Sequence, residues 1–180
     1  LSGQGGNPNL KPIVATNFDA ALEWYFAPRA LLSVGAFATQ FKDYVNFSVV
    51  DMVRKNMTQS EATHTEVYST YSVSAPTNIN GQLRGLEVAY EQPIAENFGI
   101  AANWTYARGE ADGGQPLNGT SKNTANLSGY FENERFNARL SYTYRSAFYA
   151  GVTRGDMFFL DDFGTLSASF GYKFNDNLSI

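Results

Sequence analysis

The sequence predicts an all-β chain, an antiparallel up-and-down transmembrane β-barrel segment of about seven strands plus the start of an eighth. Three observations carry this. The first is alternation. Phe136, Ala138, Leu140, Tyr142 and Tyr144 interleave with Asn137, Arg139, Ser141, Thr143 and Arg145. Phe98–Tyr106 and Leu166–Phe174 repeat the pattern. A period of two is a strand with two unlike faces, and each stretch has the ~9–11 residues that cross a bilayer at a tilt. The second is that short and long connections alternate strictly, as they do when all short turns lie on one side of a membrane. The third is that aromatic residues cluster at both strand ends, where a bilayer has its two interfaces.

Taken in order, the strands are expected at 15–26, 31–49, 82–91, 98–107, 122–132, 135–146 and 163–174, with another starting at Leu178. In the first, Phe18, Ala20, Leu22, Trp24 and Phe26 form the apolar face, and Asp19, Glu23 and Tyr25 the other. The second changes parity: Leu32, Val34 and Ala36 mark its lower half, and Phe41, Val45, Phe47 and Val49 its upper half. A β-bulge near Thr39 explains the change, and so does extension beyond the bilayer. In the third, Leu86, Val88 and Tyr90 oppose Gly85, Glu87 and Glu91. In the fifth, Ala125, Leu127, Gly129 and Phe131 oppose Asn126, Ser128, Tyr130 and Glu132. Ala27-Pro28-Arg29, 92–97, Asn133-Glu134 and 175–177 supply short turns through Pro, Asn and Asp. The long connections are expected over 51–80, 108–120 and 146–161. Trp24, Phe26, Tyr90, Phe98, Phe131, Phe136 and Phe174 lie beside the short turns, and Tyr106, Tyr142, Tyr144, Phe148 and Tyr149 beside the long loops.

Composition narrows the function classes. The 180 residues carry a net charge of −4, which disfavours a nucleic-acid partner. There is no cysteine, hence no disulfide framework or thiol chemistry. No run approaches the ~18 apolar residues of a membrane helix, which does not exclude a barrel, whose strands hide their apolar residues at alternate positions. The chain begins at Leu1 without a signal segment and ends where a strand starts, so it reads as an internal fragment. No Ser/His/Asp set and no phosphate-binding glycine loop are found, so no enzyme, catalytic residue, cofactor or metal site is predicted. The single histidine, His64, has Glu61, Glu66 and Met57 nearby but lacks the ligand set that a metal needs; it reads as a solvated loop residue. The segment 108–114 is rich in acid and glycine but lacks EF-hand spacing, and reads as a surface loop. Asn-x-Ser/Thr triplets at Asn46, Asn56, Asn103, Asn118, Asn126 and Asn177 need no glycan in so polar a chain.

The polar faces hold the candidate functional residues. Asp19, Glu23, Arg84, Glu87, Glu132, Arg139 and Arg145 are expected to face the lumen, with Glu91 and Lys173 beside them. They either line a hydrated path or hold an internal domain, or else form ordinary ion pairs across a wet inner wall.

Gly6-Asn7-Pro8-Asn9-Leu10-Lys11-Pro12, followed by the strand Thr16–Phe26, resembles the late barrel of TonB-dependent receptors. Gly81–Glu87, Ser121–Leu127 and Asn175–Ile180 resemble further family pieces in order, so the likeness spans essentially the whole chain. Asn9 and Ile13 stand where the family often has acids. The resemblance implies the C-terminal part of a barrel of about 22 strands, wide enough to need a plugged lumen. The single domain 1–180 would cover roughly strands 14 to 20, without plug domain, TonB box or closing strand. It implies a Gram-negative outer-membrane receptor that binds a scarce solute (ferric siderophore, haem, cobalamin or carbohydrate) at its extracellular loops and imports it with TonB-coupled energy. The implied partners are the outer-membrane bilayer, the receptor's own plug domain, TonB and a small solute. A passive outer-membrane porin shares the strand physics without the plug. A soluble β-rich binding module is the third reading, and it predicts a monomer that folds alone in water.

Overall fold

In a computed structural model, residues 2–153 and 156–180 are described. The elements are β1 (Ser2–Gln4), β2 (Val14–Ala27), β3 (Ala30–Lys55), helix α1 (Met57–Thr63), β4 (Tyr68–Pro93), β5 (Phe98–Ala111), a one-turn 3₁₀ helix (Asp112–Gly114), β6 (Asn123–Glu132), β7 (Phe136–Arg145), β8 (Phe148–Thr153), β9 (Asp156–Leu160), β10 (Phe163–Asn175) and β11 (Leu178–Ser179). One sheet runs β2-β3-β4-β5-β6-β7-β10-β11, with β1 added to β4; β8 and β9 form a separate hairpin. Every neighbouring pair on the main path is antiparallel. β2 and β11 are its two open edges among the described residues.

Register converts the sequence pattern into faces, because residues directly opposite in a ladder share a face. Leu22 pairs with Val34, Val34 with Val88, Val88 with Trp104, Trp104 with Ala125, Ala125 with Tyr144 and Tyr144 with Gly164. One apolar row thus crosses the sheet. Among the described residues nothing covers it: Leu22 is 74% exposed and Leu166 67%. A soluble sheet would bury such a face against a second layer, whereas the wall of a membrane barrel presents it outward. On this face the rings of Phe98, Phe131, Phe136 and Phe170 form a continuous chain beside the short turns, with centroids 4.7, 5.7 and 4.6 Å apart.

The short turns follow their chemistry. Pro28 and Arg29 close β2–β3, with Arg29 at φ 60°. Asn133 Oδ1 accepts the backbone N–H groups of Arg135 and Phe136 at 3.0 and 2.8 Å, which tightens β6–β7.

Three expectations are corrected. The connection expected over 51–80 is mostly strand. β3 and β4 are 26 residues each, far more than the ~9–11 that span a bilayer. They stay paired to Lys55–Tyr68, with only α1 and its flanks at the tip. This upper part contains Val49, Val50, Val53, Tyr71 and Val73, good strand formers. Beyond the hydrocarbon there is no lipid to sort faces, so alternation fades while β-propensity remains. The parity change in β3 does come from an irregularity, a few residues beyond Thr39, between Phe41 and Tyr44. There Asp43 takes φ 56°, and Asn78 Nδ2 donates to its carbonyl at 2.7 Å. Third, the stretch 146–161 contains the β8–β9 hairpin.

Among the candidate residues, Arg84 is misplaced by the sequence reading. It pairs with Ala38 and Arg108 and alternates in phase with Leu86, Val88 and Tyr90, so it belongs to the apolar face's parity. Asp19, Glu23, Glu87, Glu132, Arg139 and Arg145 fall on the opposite face, paired with Phe37, Ser33, Gly35, Asn137, Tyr130 and Thr124 respectively.

Close packing across this sheet makes a direct test. A Cβ on Gly85 would run into the Tyr106 carbonyl oxygen and the Phe37 ring, whereas one on Gly129 meets nothing within 4 Å. Gly85→Ala is expected to cost about 1–3 kcal/mol, and Gly129→Ala less than about 0.5 kcal/mol, measured by urea unfolding of the full-length receptor in detergent. On the two faces, Leu140→Arg is expected to cost about 2–4 kcal/mol and Thr143→Arg far less, read by the same unfolding midpoint.

Candidate functional site: the inner sheet face and the loop end

The inner face is largely polar, broken on β3 by Phe37 and Phe41. Ser33, Asn103, Thr105, Asn126, Ser128, Ser141, Thr143, Thr165, Ser167 and Ser169 occupy it between the charged residues. Its charges are segregated. Asp19 and Glu23 stand on β2 and Glu87 and Glu91 on β4; Arg139 and Arg145 stand on β7 and Lys173 on β10. Glu132 on β6 lies between the two groups.

These charges do not pair with one another. The ion pairs among the described residues are Lys55–Glu66, Arg108–Glu110 and Lys173–Asp176. Sheet geometry explains this: β4 and β7 are three strands apart, about 14 Å, beyond contact and beyond a Debye length of about 8–10 Å. The reading of an ion-paired wet wall is therefore not what the strand order produces. Glu23 instead accepts the Tyr25 hydroxyl at 2.6 Å. The Arg139 guanidinium lies 5.6 Å from the Tyr130 ring centroid, directly opposite in register.

The loop end is built up rather than open. Leu117 is 2% exposed. It fits against Gly81 and Gly109, where an added Cβ would come within 3.0 and 2.9 Å of it. Asn46 is fully buried and donates to Gln115 Oε1 at 3.4 Å. Tyr44 donates its hydroxyl to the Asn118 carbonyl at 3.2 Å. The Gly119 N–H donates to the Tyr149 carbonyl at 2.8 Å, and Ser121 bridges to Phe148. The upper β3–β4 hairpin, the 112–122 connection and the β8–β9 hairpin thus share one small core.

Arg145 joins this core to the wall. It ends β7 on the inner face. Its Nε donates to Ser121 Oγ at 2.6 Å and its Nη2 to the Gly119 carbonyl, while the guanidinium sits 3.8 Å from the Phe148 centroid. The amino-terminal segment is tied to the same end. Asn7 Nδ2 donates to the Pro76 carbonyl at 3.1 Å. The Lys11 N–H donates to Asn78 Oδ1 at 2.7 Å.

His64 caps α1 at φ 52°, and no group of three or more His, Cys, Asp or Glu able to hold a metal occurs among the described residues. The loop core left little mark in the sequence beyond Leu117, an apolar residue in the otherwise polar stretch 112–120.

A one-layer sheet with a lipid face, a charged inner face and built-up loops at one end defines a large membrane barrel of the receptor kind. Residues 1–180 match the family model described as "TonB dependent receptor-like, beta-barrel", and the chain belongs to that family. It is 28% identical to the "Probable hemoglobin and hemoglobin-haptoglobin-binding protein 4" of Haemophilus influenzae, over 78% of this chain and 15% of that one. Among solved structures it resembles the ferric enterobactin receptor of Pseudomonas aeruginosa in complex with enterobactin, with TM-score 0.69 and 16% identity over 96% of this chain and 26% of that one. It also resembles the copper transporter OprC, with TM-score 0.66 and 18% identity over 94% and 24%. The siderophore receptor PirA from Acinetobacter baumannii gives TM-score 0.63 and 18% identity over 97% and 27%. The chain spans about a quarter or less of each relative's length. The family's receptors are Gram-negative outer-membrane transport proteins.

Two tests follow from the loop end. Removing the charge-assisted bonds in Arg145→Ala is expected to loosen the 117–121 segment by about 1.5 kcal/mol, the low end for a part-exposed group. Faster amide hydrogen exchange there in the full receptor, with the β-strands unchanged, is the readout. Burial raises the Tyr44 and Tyr149 phenols above their ordinary 10.0, and the neighbouring Tyr44 adds to the rise at Tyr149. Their neutral forms are favoured in the folded loops, so this stabilisation is complete below pH 10 and is lost as pH rises through the raised values. Tyrosinate absorbance in a pH titration should show two late phenols, absent from a Tyr44→Phe/Tyr149→Phe double variant.

Proposed function

We propose that this chain is a wall section of an outer-membrane receptor that binds a scarce solute at its loop end and imports it with TonB-coupled energy. The observation that carries the reading is the inner face: charged, segregated by sign and unpaired across strands. A water-filled passive pore gains nothing from an acidic panel at β2–β4 and a basic one at β7. A folded plug of complementary surface, seated in the lumen, satisfies both. In this reading Asp19, Glu23 and Glu87 face basic groups of the plug, and Arg139 faces an acidic one. Arg84 has no place in that contact.

The loop core suits capture from outside, since the β3–β4 hairpin, the 112–122 connection and β8–β9 are held together before any solute arrives. The relatives point to an iron-bearing cargo, a ferric siderophore or haem, ahead of cobalamin or carbohydrate. Copper is the cargo named for one structural neighbour.

The test uses the full-length receptor in cells. Uptake of the radiolabelled iron carrier that the receptor binds should stop on loss of TonB or on addition of a protonophore, while surface binding persists. Arg139→Glu should lower uptake about tenfold, as expected when like charges are brought together across a protein contact, with surface binding unchanged. Uptake indifferent to TonB and to the protonophore would make the protein a passive channel.

A further inference from the structure

The lipid-side face changes character abruptly at one place. Going up β4 it reads Tyr90, Val88, Leu86 and then Arg84; up β5 it reads Ala102, Trp104, Tyr106 and then Arg108. Arg84 and Arg108 are directly opposite in register, one residue pair above Leu86 and Tyr106. Like charges directly opposite destabilise a sheet. Arg108 is already engaged, since its Nε and Nη2 both donate to Glu110 Oε1. Arg84 makes no ion pair among the described residues, and both arginines are exposed. A third cation joins them: the bend at Lys122 brings its Nζ to 5.8 Å from the Tyr106 ring centroid. In the same register row the neighbouring outward positions are uncharged, Ala38 on β3 and Phe18 on β2, as is Asn123 on β6 opposite Tyr106. The cations therefore form a patch on one panel and not a belt around the sheet.

We propose that Arg84, Arg108 and Lys122 bind the phosphate of an outer-leaflet lipid whose acyl chains lie along Leu86, Val88 and Trp104. The inference rests on the membrane-barrel reading. Continuity with the apolar band selects a lipid over a soluble anion: the cations begin one residue pair above the last apolar pair, at the depth where Tyr106 marks the headgroup level. The planar guanidinium fork of Arg84 matches two phosphate oxygens, with Arg108 and Lys122 adding positive charge beside it, and an anion there turns the repulsion of the two arginines into a shared attraction. The same contact would hold the base of the β3–β4 hairpin and of the 112–122 connection against the leaflet.

The experiment uses the full-length receptor in phosphatidylcholine nanodiscs and reads quenching of Trp104 by lipids brominated on their acyl chains, taken as the difference between the receptor and its Trp104→Phe variant. Brominated phosphatidic acid should quench Trp104 at about a tenfold lower mole fraction than brominated phosphatidylcholine, the preference expected for two or three basic residues near an anionic lipid. Arg84→Gln/Arg108→Gln should abolish that preference, and Lys122→Gln, which lies off the ladder, should reduce it. Equal quenching by both lipids, or a preference unchanged in the double variant, would overturn the proposal. So would loss of the preference on adding millimolar inorganic phosphate, which would make this a free-anion site. If no brominated lipid quenches Trp104, it is the membrane-barrel reading that fails.

Discussion

Every other feature of this structure depends on one constraint: the backbone must bond to itself where no water can reach it. In hydrocarbon each unpaired N–H or C=O costs several kcal/mol, so a crossing strand must be paired on both sides. The antiparallel ladder from β2 to β11 meets this demand and leaves the side chains free to divide between two surroundings. That division is why the chain has almost no core within the spanning part. Its few buried apolar residues, among them Leu117, Ala75 and Tyr149, lie mostly at the loop end, where water returns and loops must pack against one another as in a soluble protein. The open edges at β2 and β11 follow from the same constraint, since a panel satisfies its interior strands and passes the demand on to its neighbours.

The same constraint decides what was legible in the sequence. Between the interfaces, lipid on one side and water on the other sort residues by a period of two, so the Phe98–Tyr106, Phe136–Tyr144 and Leu166–Phe174 strands could be read directly. Above the outer interface nothing sorts them. There β3 and β4 continue as strands to Lys55 and Tyr68, although the alternation that marks a strand has faded. The β8–β9 hairpin was hidden for the same reason. The irregularity in β3 left a parity change in the sequence, but only the ladder could place it at Asp43, whose carbonyl accepts from Asn78 and whose N–H donates to Asn80 Oδ1.

The candidate residues were legible to a different depth. Membership of a polar face needs only strand phase, and Asp19, Glu23, Glu87, Glu132, Arg139 and Arg145 follow from that. Arg84 does not: in phase it belongs with Leu86, and its charge suggested the wrong face. A charged residue on the lipid-side parity is tolerable only beyond the apolar band, and its height relative to Tyr106 appears once β4 and β5 are in register. Segregation of the inner charges is already present in the chain order: Asp19, Glu23, Glu87, Glu91 and Glu132 all precede Arg139, Arg145 and Lys173. Because the strands pair in sequence order, the sheet keeps the acids of β2–β4 away from the bases of β7 and β10.

Arg145 shows how the two halves of the molecule are joined. The spanning strands are held by a continuous ladder, and the loop end by a small core of single contacts, which are far easier to rearrange. Arg145 belongs to both, with its backbone in the last register of β7 and its guanidinium on Ser121, Gly119 and Phe148. A shift of the inner wall at β7 would strain these bonds to the 117–121 segment, and a shift of that segment would pull on a side chain rooted in the wall. Coupling between sites requires a physical element shared by both, and Arg145 is one such element, beside the Tyr44 hydroxyl on Asn118 and Leu117 against Gly81 and Gly109.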